Sequence, residues 1–265
     1  MNNELQILFQ IQKVLKDSGY YDISRVGQEI LEYAKNNPLP LEEILRRIEL
    51  NEPWEYIKGE GEFRNRSFAL NSHTLIPRIE TEIMIDIAKQ ELLKSHTPYT
   101  DIIDVGTGSG CIIISLADEL NDQRGKYEYY ASDISQEALD IALLNEKRIL
   151  NKSLIKFTRT NLIEDIALKK DSFCMILANL PYIPTQQYLK LDKSVVDFEP
   201  RIALDGGKNG IVFYEKLLAQ IKKKNLKGCA IFEIEPSTLK LLKPLHPKVI
   251  KDQYNRNRFV LIRFR

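Results

Sequence analysis

Apolar residues at the start of the chain recur at three- and four-residue steps. Leu5, Leu8, Phe9, Ile11, Val14 and Leu15 draw the stripe of an amphipathic helix over residues 4 to 17, and Gly19 ends it. A second stripe passes through Val26, Ile30, Leu31 and Ala34 and stops before Asn37-Pro38, because proline disfavours helix in the residue ahead of it. A third runs from Leu41 to Leu50, up to Glu52-Pro53-Trp54. Three short helices predict a small all-helical domain over residues 1–54, either a docking module or a packing cap. The texture then changes. EFRNRSFALN alternates around an Asn-centred turn, as a β-hairpin does, and Leu75-Ile76-Pro77-Arg78 leads into a helix beginning near Thr81-Glu82, so residues 55–80 read as a connector.

Residues 81–265 alternate between strand and helix patterns. Apolar or β-rich runs at 101–105, 127–133, 153–159, 173–179 and 228–234 are separated by helical patterns at 110–120, 135–150 and 208–223, spaced for right-handed crossovers. The end differs: PKVIKDQ, the turn YNRN and RFVLIRF read as a hairpin, so the last strand is expected to run against the others. The predicted fold class is α/β: a doubly wound, seven-stranded, mostly parallel sheet with its last strand antiparallel, preceded by the small N-terminal helical domain and the β-hairpin connector.

Composition narrows the field. A chain of 265 residues with 43% hydrophobic content can bury a sizeable core, which excludes global disorder. Lys+Arg 38 against Asp+Glu 37 gives the whole molecule no attraction to polyanions, yet residues 208 onward carry net +10 and residues 1–207 net −9. That basic end is either a solvated face or a surface facing something anionic. Cys111, Cys174 and Cys229 sit in apolar runs with no metal or redox spacing. His73, His96 and His246 have no spacing for a metal or a triad and read as loop residues. No apolar stretch approaches the roughly 20 residues of a membrane span, and the N-terminal segment lacks a basic n-region and a cleavage site. A cytoplasmic protein with no membrane association and no bound metal is expected.

Candidate chemistry begins at Asp104-Val105-Gly106-Thr107-Gly108-Ser109-Gly110, which follows an apolar strand and opens a helix. Glycines at alternate positions strip the Cβ atoms from a turn at the sheet's carboxyl edge, so a ligand can approach the backbone. The same spacing also suits any tight strand-to-helix turn. The dinucleotide fingerprint would need glycine where Cys111 stands, so the turn fits a nucleoside without a pyrophosphate. The next strand ends at Ser132-Asp133-Ile134, placing a carboxylate where a ribose diol would donate two hydrogen bonds, or where a helix cap would sit. Together they indicate an adenosine-bearing cofactor.

At the end of the fourth strand stands Asn179-Leu180-Pro181-Tyr182. It resembles the Asn-Pro-Pro-Tyr motif of class I S-adenosylmethionine methyltransferases that modify planar amino groups. A carboxamide nitrogen is a poor nucleophile because its lone pair is delocalised. Two acceptors, the Asn179 side-chain oxygen and the Leu180 backbone carbonyl, would hold both N–H groups so that the nitrogen pyramidalises towards a methyl donor. Tyr182 would pack on the planar group. Leu180 in place of proline loses a locked φ, at a cost of about 0.4–1 kcal/mol, and Pro181 still biases it towards an extended backbone.

Over essentially its full length the chain resembles the HemK/PrmC family, the protein-(glutamine) methyltransferases of peptide chain release factors. The resemblance rests on Glu55-Tyr56-Ile57-Lys58-Gly59 with Glu62-Phe63, on Leu75 to Glu82, and on Phe198-Glu199-Pro200-Arg201 through Gly207, Gly210 and Tyr214. It implies S-adenosylmethionine as cofactor, bound by Gly106, Thr107, Gly108, Ser109, Gly110, Asp133, Ile134, Asn161, Leu162 and Asn179. It implies Asn179 and Tyr182 as catalytic residues and Asn179, Leu180, Pro181 and Tyr182 as the substrate site, with release factors as partners. The helical domain and connector would help hold the factor, and Arg78 and Glu80 would order the loop over the cofactor or pair at the surface.

Five positions depart from the family: Ile79 and Leu180 for proline, Asn161-Leu162 for an acidic and aromatic pair, and Glu235 for glycine. Three alternatives stand beside the release-factor reading: a ribosomal-protein glutamine, the exocyclic amine of adenine in nucleic acid, and a cofactor-binding module without turnover. The adenine reading predicts a basic groove with aromatic platforms; the chain up to Gly207 is acidic, so no direct nucleic-acid substrate is expected.

Overall fold

The computed structural model describes residues 3–94, 101–120, 126–168 and 173–264; His96 lies outside them. Its first elements are α1 (Asn3–Asp17), α2 (Ile23–Asn36), α3 (Leu41–Glu49) and α4 (Trp54–Lys58). Their apolar stripes meet in a core of their own, with Ile11, Leu15, Ile30, Ile44 and Ile48 fully buried. The fourth helix is too short for a periodicity to show, yet its Trp54 and Ile57 extend that core past residue 54. Trp54 packs edge-on against Tyr33 at 5.3 Å, and its Nε1 donates to Glu29 at 3.1 Å.

A hairpin follows, β1 (Glu60–Phe63) and β2 (Arg66–Ala69). Its two turn residues, Arg64 and Asn65, both have positive φ, the mirror-image turn that matches strand twist. Three devices fasten it to the helices α5 (Glu82–Lys94), α6 (Cys111–Glu119) and α7 (Gln136–Leu150). Arg64 donates to Glu119 at 2.8 and 2.9 Å, and its hydrogen bond holds the Glu119 carboxyl far below its ordinary range, at about 2. Arg66 donates to Asp118. The fully buried Asn145 of α7 accepts the Ala69 N–H and donates to both the Ala69 and Ser109 carbonyls.

The sheet contains β3 (Asp101–Val105), β4 (Glu128–Asp133), β5 (Ile155–Arg159), β6 (Phe173–Ala178), β7 (Lys227–Glu233), β8 (Lys248–Lys251) and β9 (Asn257–Phe264) in the order β5-β4-β3-β6-β7-β9-β8. Strands β3 to β7 are mutually parallel and β9 runs against β7, as expected from the terminal hairpin. Alternate residues of each strand enter opposite cores. Ile102, Met175, Leu177, Cys229 and Ile231 face α5 and α6; Ile103, Cys174, Ile176, Ala230 and Phe232 face the later helix Val212–Lys223. The lysines of the basic end, Lys222, Lys223, Lys227, Lys240, Lys243, Lys248 and Lys251, stand exposed.

Register is what builds the site. Val105 is level with Ser132 and Ala178, and Ala178 with Phe232. One residue further on, Gly106, Asp133, Asn179 and Glu233 therefore emerge together at the carboxyl edge, where the strand order reverses and open α/β sheets bind ligands.

Candidate active site

The glycine turn leaves β3 with its backbone tied down. The N–H groups of Gly106 and Thr107 donate to the Ser132 carbonyl at 2.8 and 2.9 Å, and the Gly108 N–H to Asp133 Oδ2 at 2.9 Å. Gly108 has φ +54 and a Cβ added there would meet nothing within 4 Å, so the space above it belongs to the cleft. Gly110 differs: its φ is +80 and a Cβ would come within 2.6 Å of Ile114 and 3.2 Å of Ala142. It begins α6 and packs inward, and of the ten expected cofactor contacts it alone is absent from the cleft wall.

The cleft has a volume of about 200 Å³. Asp133 stands at its edge, with Oδ1 accepting the Ser135 N–H at 3.0 Å; burial raises its pKa while these backbone donors oppose the rise. Each oxygen keeps a lone pair for a diol. Ile134 and Leu162 supply apolar walls for a flat base. Leu162 is buried at φ +60, a region bulky residues avoid, and Gln220 clamps that turn by accepting from Ile163 N–H and donating to the Asn161 carbonyl. Open space over Gly108, a carboxylate at the β4 end and apolar walls fit an adenosine-bearing group.

The connector and a later loop close the cleft from above. His73, Leu75, Arg78 and Thr81 line it from one side, Ile202 and Ala203 from the other. His73 is thus more than a passing loop residue. Arg78 does not pair with Glu80 but with the buried Glu199 at 2.5 Å, joining the two lips across 121 residues of sequence. A second cavity of about 170 Å³, walled by Leu191, Val195, Leu204 and Tyr182, shares Leu75, Arg78 and Asn179 with the first. The two spaces meet at Asn179.

Around that meeting point the polar side chains are linked to one another. Asn179 Nδ2 donates to Thr81 Oγ1 at 3.1 Å, Thr81 Oγ1 donates to Glu233 Oε2 at 2.7 Å, and the Tyr182 hydroxyl donates to Glu233 Oε1 at 3.2 Å. The Leu180 carbonyl already has a partner: the Tyr214 hydroxyl reaches it at 3.0 Å and lies against the Glu233 carbonyl too. A carbonyl has two lone pairs, so one remains for a substrate N–H. The Leu180 side chain fills the space beside Gly106, where a Cβ would come within 2.9 Å of it. Glu233 is buried, which pushes its carboxyl up to about 6 against the hydrogen bond from Thr81 and the charge of Arg258.

Relatives carry the same architecture. The methyltransferase small domain family matches residues 81–233, more than half of the chain. A release factor glutamine methyltransferase of Flavobacterium psychrophilum is 33% identical over 237 residues, covering 86% of this chain and 81% of its own. The chain belongs to this methyltransferase family. It is a methyltransferase. Its counterpart from Lactococcus lactis is 36% identical over 180 residues, and the match spans 68% of this chain and 62% of the relative. Among solved structures, the catalytic domain of hMettl16 in complex with an RNA hairpin has the same fold, with TM-score 0.56 and 14% identity over 87% of this chain and 94% of that one.

Several residues of this methyltransferase site escaped the sequence reading. Thr81 and Glu233 sit at the end of a connector and of a strand, and neither position distinguishes them from a helix start or an exposed strand end. Glu233 did carry one signal: a charged residue closing the apolar run GCAIFEI. Among the described residues no cluster of His, Cys, Asp and Glu is placed to hold a metal ion, and no helix is long and apolar enough to cross a membrane.

Proposed function

We propose that this chain transfers the methyl group of S-adenosylmethionine to the side-chain amide nitrogen of the glutamine in the Gly-Gly-Gln loop of peptide chain release factors, in the cytoplasm. The observation that carries the reading is the meeting of two cavities at Asn179, one suited to a nucleoside and one to a short side chain. The bound cofactor supplies an electrophilic methyl on a sulfonium. Everything else falls to the chain's own residues. Asn179 Oδ1 and the remaining lone pair on the Leu180 carbonyl accept the two N–H groups of the acceptor amide and orient its nitrogen. Leu191, Val195 and Leu204 exclude water from the glutamine stem. Tyr182, held by Glu233, limits how the amide plane can turn.

The acceptor is a protein on this reading because the site's rim is apolar: Ile202, which lines the cleft, stands 56% exposed, and Ile79, next in sequence to the cleft residue Arg78, 64%. The helical unit over residues 1–54 and the connector over 55–80 serve as docking surface, and residues 81–265 as the transferase domain. On α1, Leu5 and Phe9 lie one turn apart and exposed.

Incubation with S-adenosylmethionine and a purified release factor is expected to add one methyl group to the glutamine, read by mass spectrometry. Asn179→Ala removes one of two acceptors and is expected to lower transfer by about 100-fold or more while the thermal melt stays unchanged. Full activity in that variant would remove Asn179 from the chemistry, and cofactor binding without methylation of any release factor would leave a binding module.

A further inference from the structure

We infer that Thr81 and Glu233 are positioning residues that set which end of the Asn179 carboxamide faces the acceptor cavity. The inference rests on the methyl-transfer reading and deepens it. A carboxamide has two ends of nearly equal shape and opposite polarity, so a site that needs the oxygen must forbid the flipped form.

The proton count does this. Glu233 stands level with Asn179 on the neighbouring parallel strand. An ionised carboxylate only accepts, and its Oε2 takes the one hydroxyl proton that Thr81 owns, at 2.7 Å. Thr81 Oγ1 then has only lone pairs to offer Asn179, at 3.1 Å, which selects the Nδ2 end. The oxygen end is left for the substrate. A flipped amide would set N–H groups against the incoming N–H groups, and would also oppose lone pairs at Thr81. The other carboxylate oxygen holds the Tyr182 hydroxyl, so one buried group governs both polar side chains of the tetrapeptide.

Thr81 comes from the short turn ahead of α5, where the connector passes into the transferase domain. The amide that would receive the substrate is therefore oriented by a residue outside the parallel sheet.

Protonation of Glu233 breaks the count, because a carboxylic acid can donate to Thr81 and free it to donate to Asn179 Oδ1. The groups facing Glu233 are Thr81 and Glu80 from the connector, Tyr182 and Tyr214, Arg258 on β9 and Cys111 on α6. Burial pushes the Tyr182 and Tyr214 hydroxyls and the Cys111 thiol upward, away from neutrality, whereas Glu233 lies at about 6.

The test measures kcat on a release factor from pH 5 to 8 with saturating cofactor, for the full chain, Thr81→Val and Thr81→Ser. The wild-type rate is expected to fall as pH drops through about 6, approaching tenfold per unit. Thr81→Val keeps the shape and removes the relay; its kcat at pH 7.5 is expected about 10- to 100-fold lower, and its profile to lose the step near 6. Thr81→Ser restores rate and profile. A Thr81→Val enzyme with wild-type kcat and an unaltered profile overturns the inference. Should that variant fail to fold, Glu233→Gln is expected to give a reduced kcat with no step near 6, and a wild-type rate and profile there overturn it equally.

A readout independent of transfer separates this inference from the function itself. The Asn179 Nδ2 protons are expected to be slow to exchange by NMR at pH 7.5 and fast in Thr81→Val; equal exchange sinks the relay. A wild type that methylates nothing yet keeps that protection counts against the release-factor reading alone.

Discussion

A carboxylate inside an apolar strand must find donors or surrender its charge, and Asp104 does some of each. The Thr107 hydroxyl donates to it at 2.7 Å, yet burial pushes its pKa from 3.8 up to about 7. The folded state therefore binds a proton that the unfolded chain has lost across pH 4 to 7, so this residue's contribution to stability declines as pH rises through that window and is level above it. Asp104→Asn, which cannot ionise, is expected to gain on the wild type by about 1.4 kcal/mol per pH unit over the same window, a few kcal/mol in all. Urea unfolding at pH 5 and pH 8 measures the difference, and a gap that does not widen with pH contradicts the shifted titration. At this scale the sequence showed residue types faithfully and their partners poorly. Asn179 and Asp133 were legible because each closes an apolar strand at the edge where ligands bind. Thr81 was not, since its role comes from a carboxylate 152 residues away.

Elements show the same division within one turn. The three glycines of the turn look alike in sequence, but Gly108 faces open space and Gly110 faces α6 and α7. Gly108→Ala is expected to lower cofactor affinity at least about tenfold, since its methyl enters the cleft, and to cost only about 1–2 kcal/mol of stability for a left-handed φ. Gly110→Ala adds a 2.6 Å clash to the same backbone penalty and is expected to lose stability more steeply. Parallel titration calorimetry and thermal melts read the two effects; equal behaviour of the two variants would mean that the turn is merely a turn. The strands and long helices were legible because their periods were clean. The short helices after the tetrapeptide, Thr185–Tyr188 and Lys193–Val196, were not, since four residues carry no period; Val195 of the second lines the smaller cavity beside Asn179.

Across the whole molecule, three apolar cores stand behind one opening: two line the faces of the sheet and one belongs to the N-terminal helices. If that helical unit docks the protein substrate, Phe9→Ala combined with Leu5→Ala is expected to raise KM for the release factor several-fold, as truncating an apolar anchor does, with cofactor affinity and kcat unchanged. An unaltered KM would return the unit to the role of a packing cap. By itself the sequence determined the order of strands and helices along the chain, the reversal of the last strand, and the strand-end positions of Asp133 and of the tetrapeptide Asn179 to Tyr182, because periodicity and strand ends are local properties of the chain. Only the tertiary structure decided that Arg78 joins Glu199, that Asn145 ties the hairpin to the glycine turn, and that Thr81 stands between Asn179 and Glu233. Such hydrogen bonds depend on distance and angle between segments far apart in sequence, and no local pattern encodes which buried donor will find which acceptor.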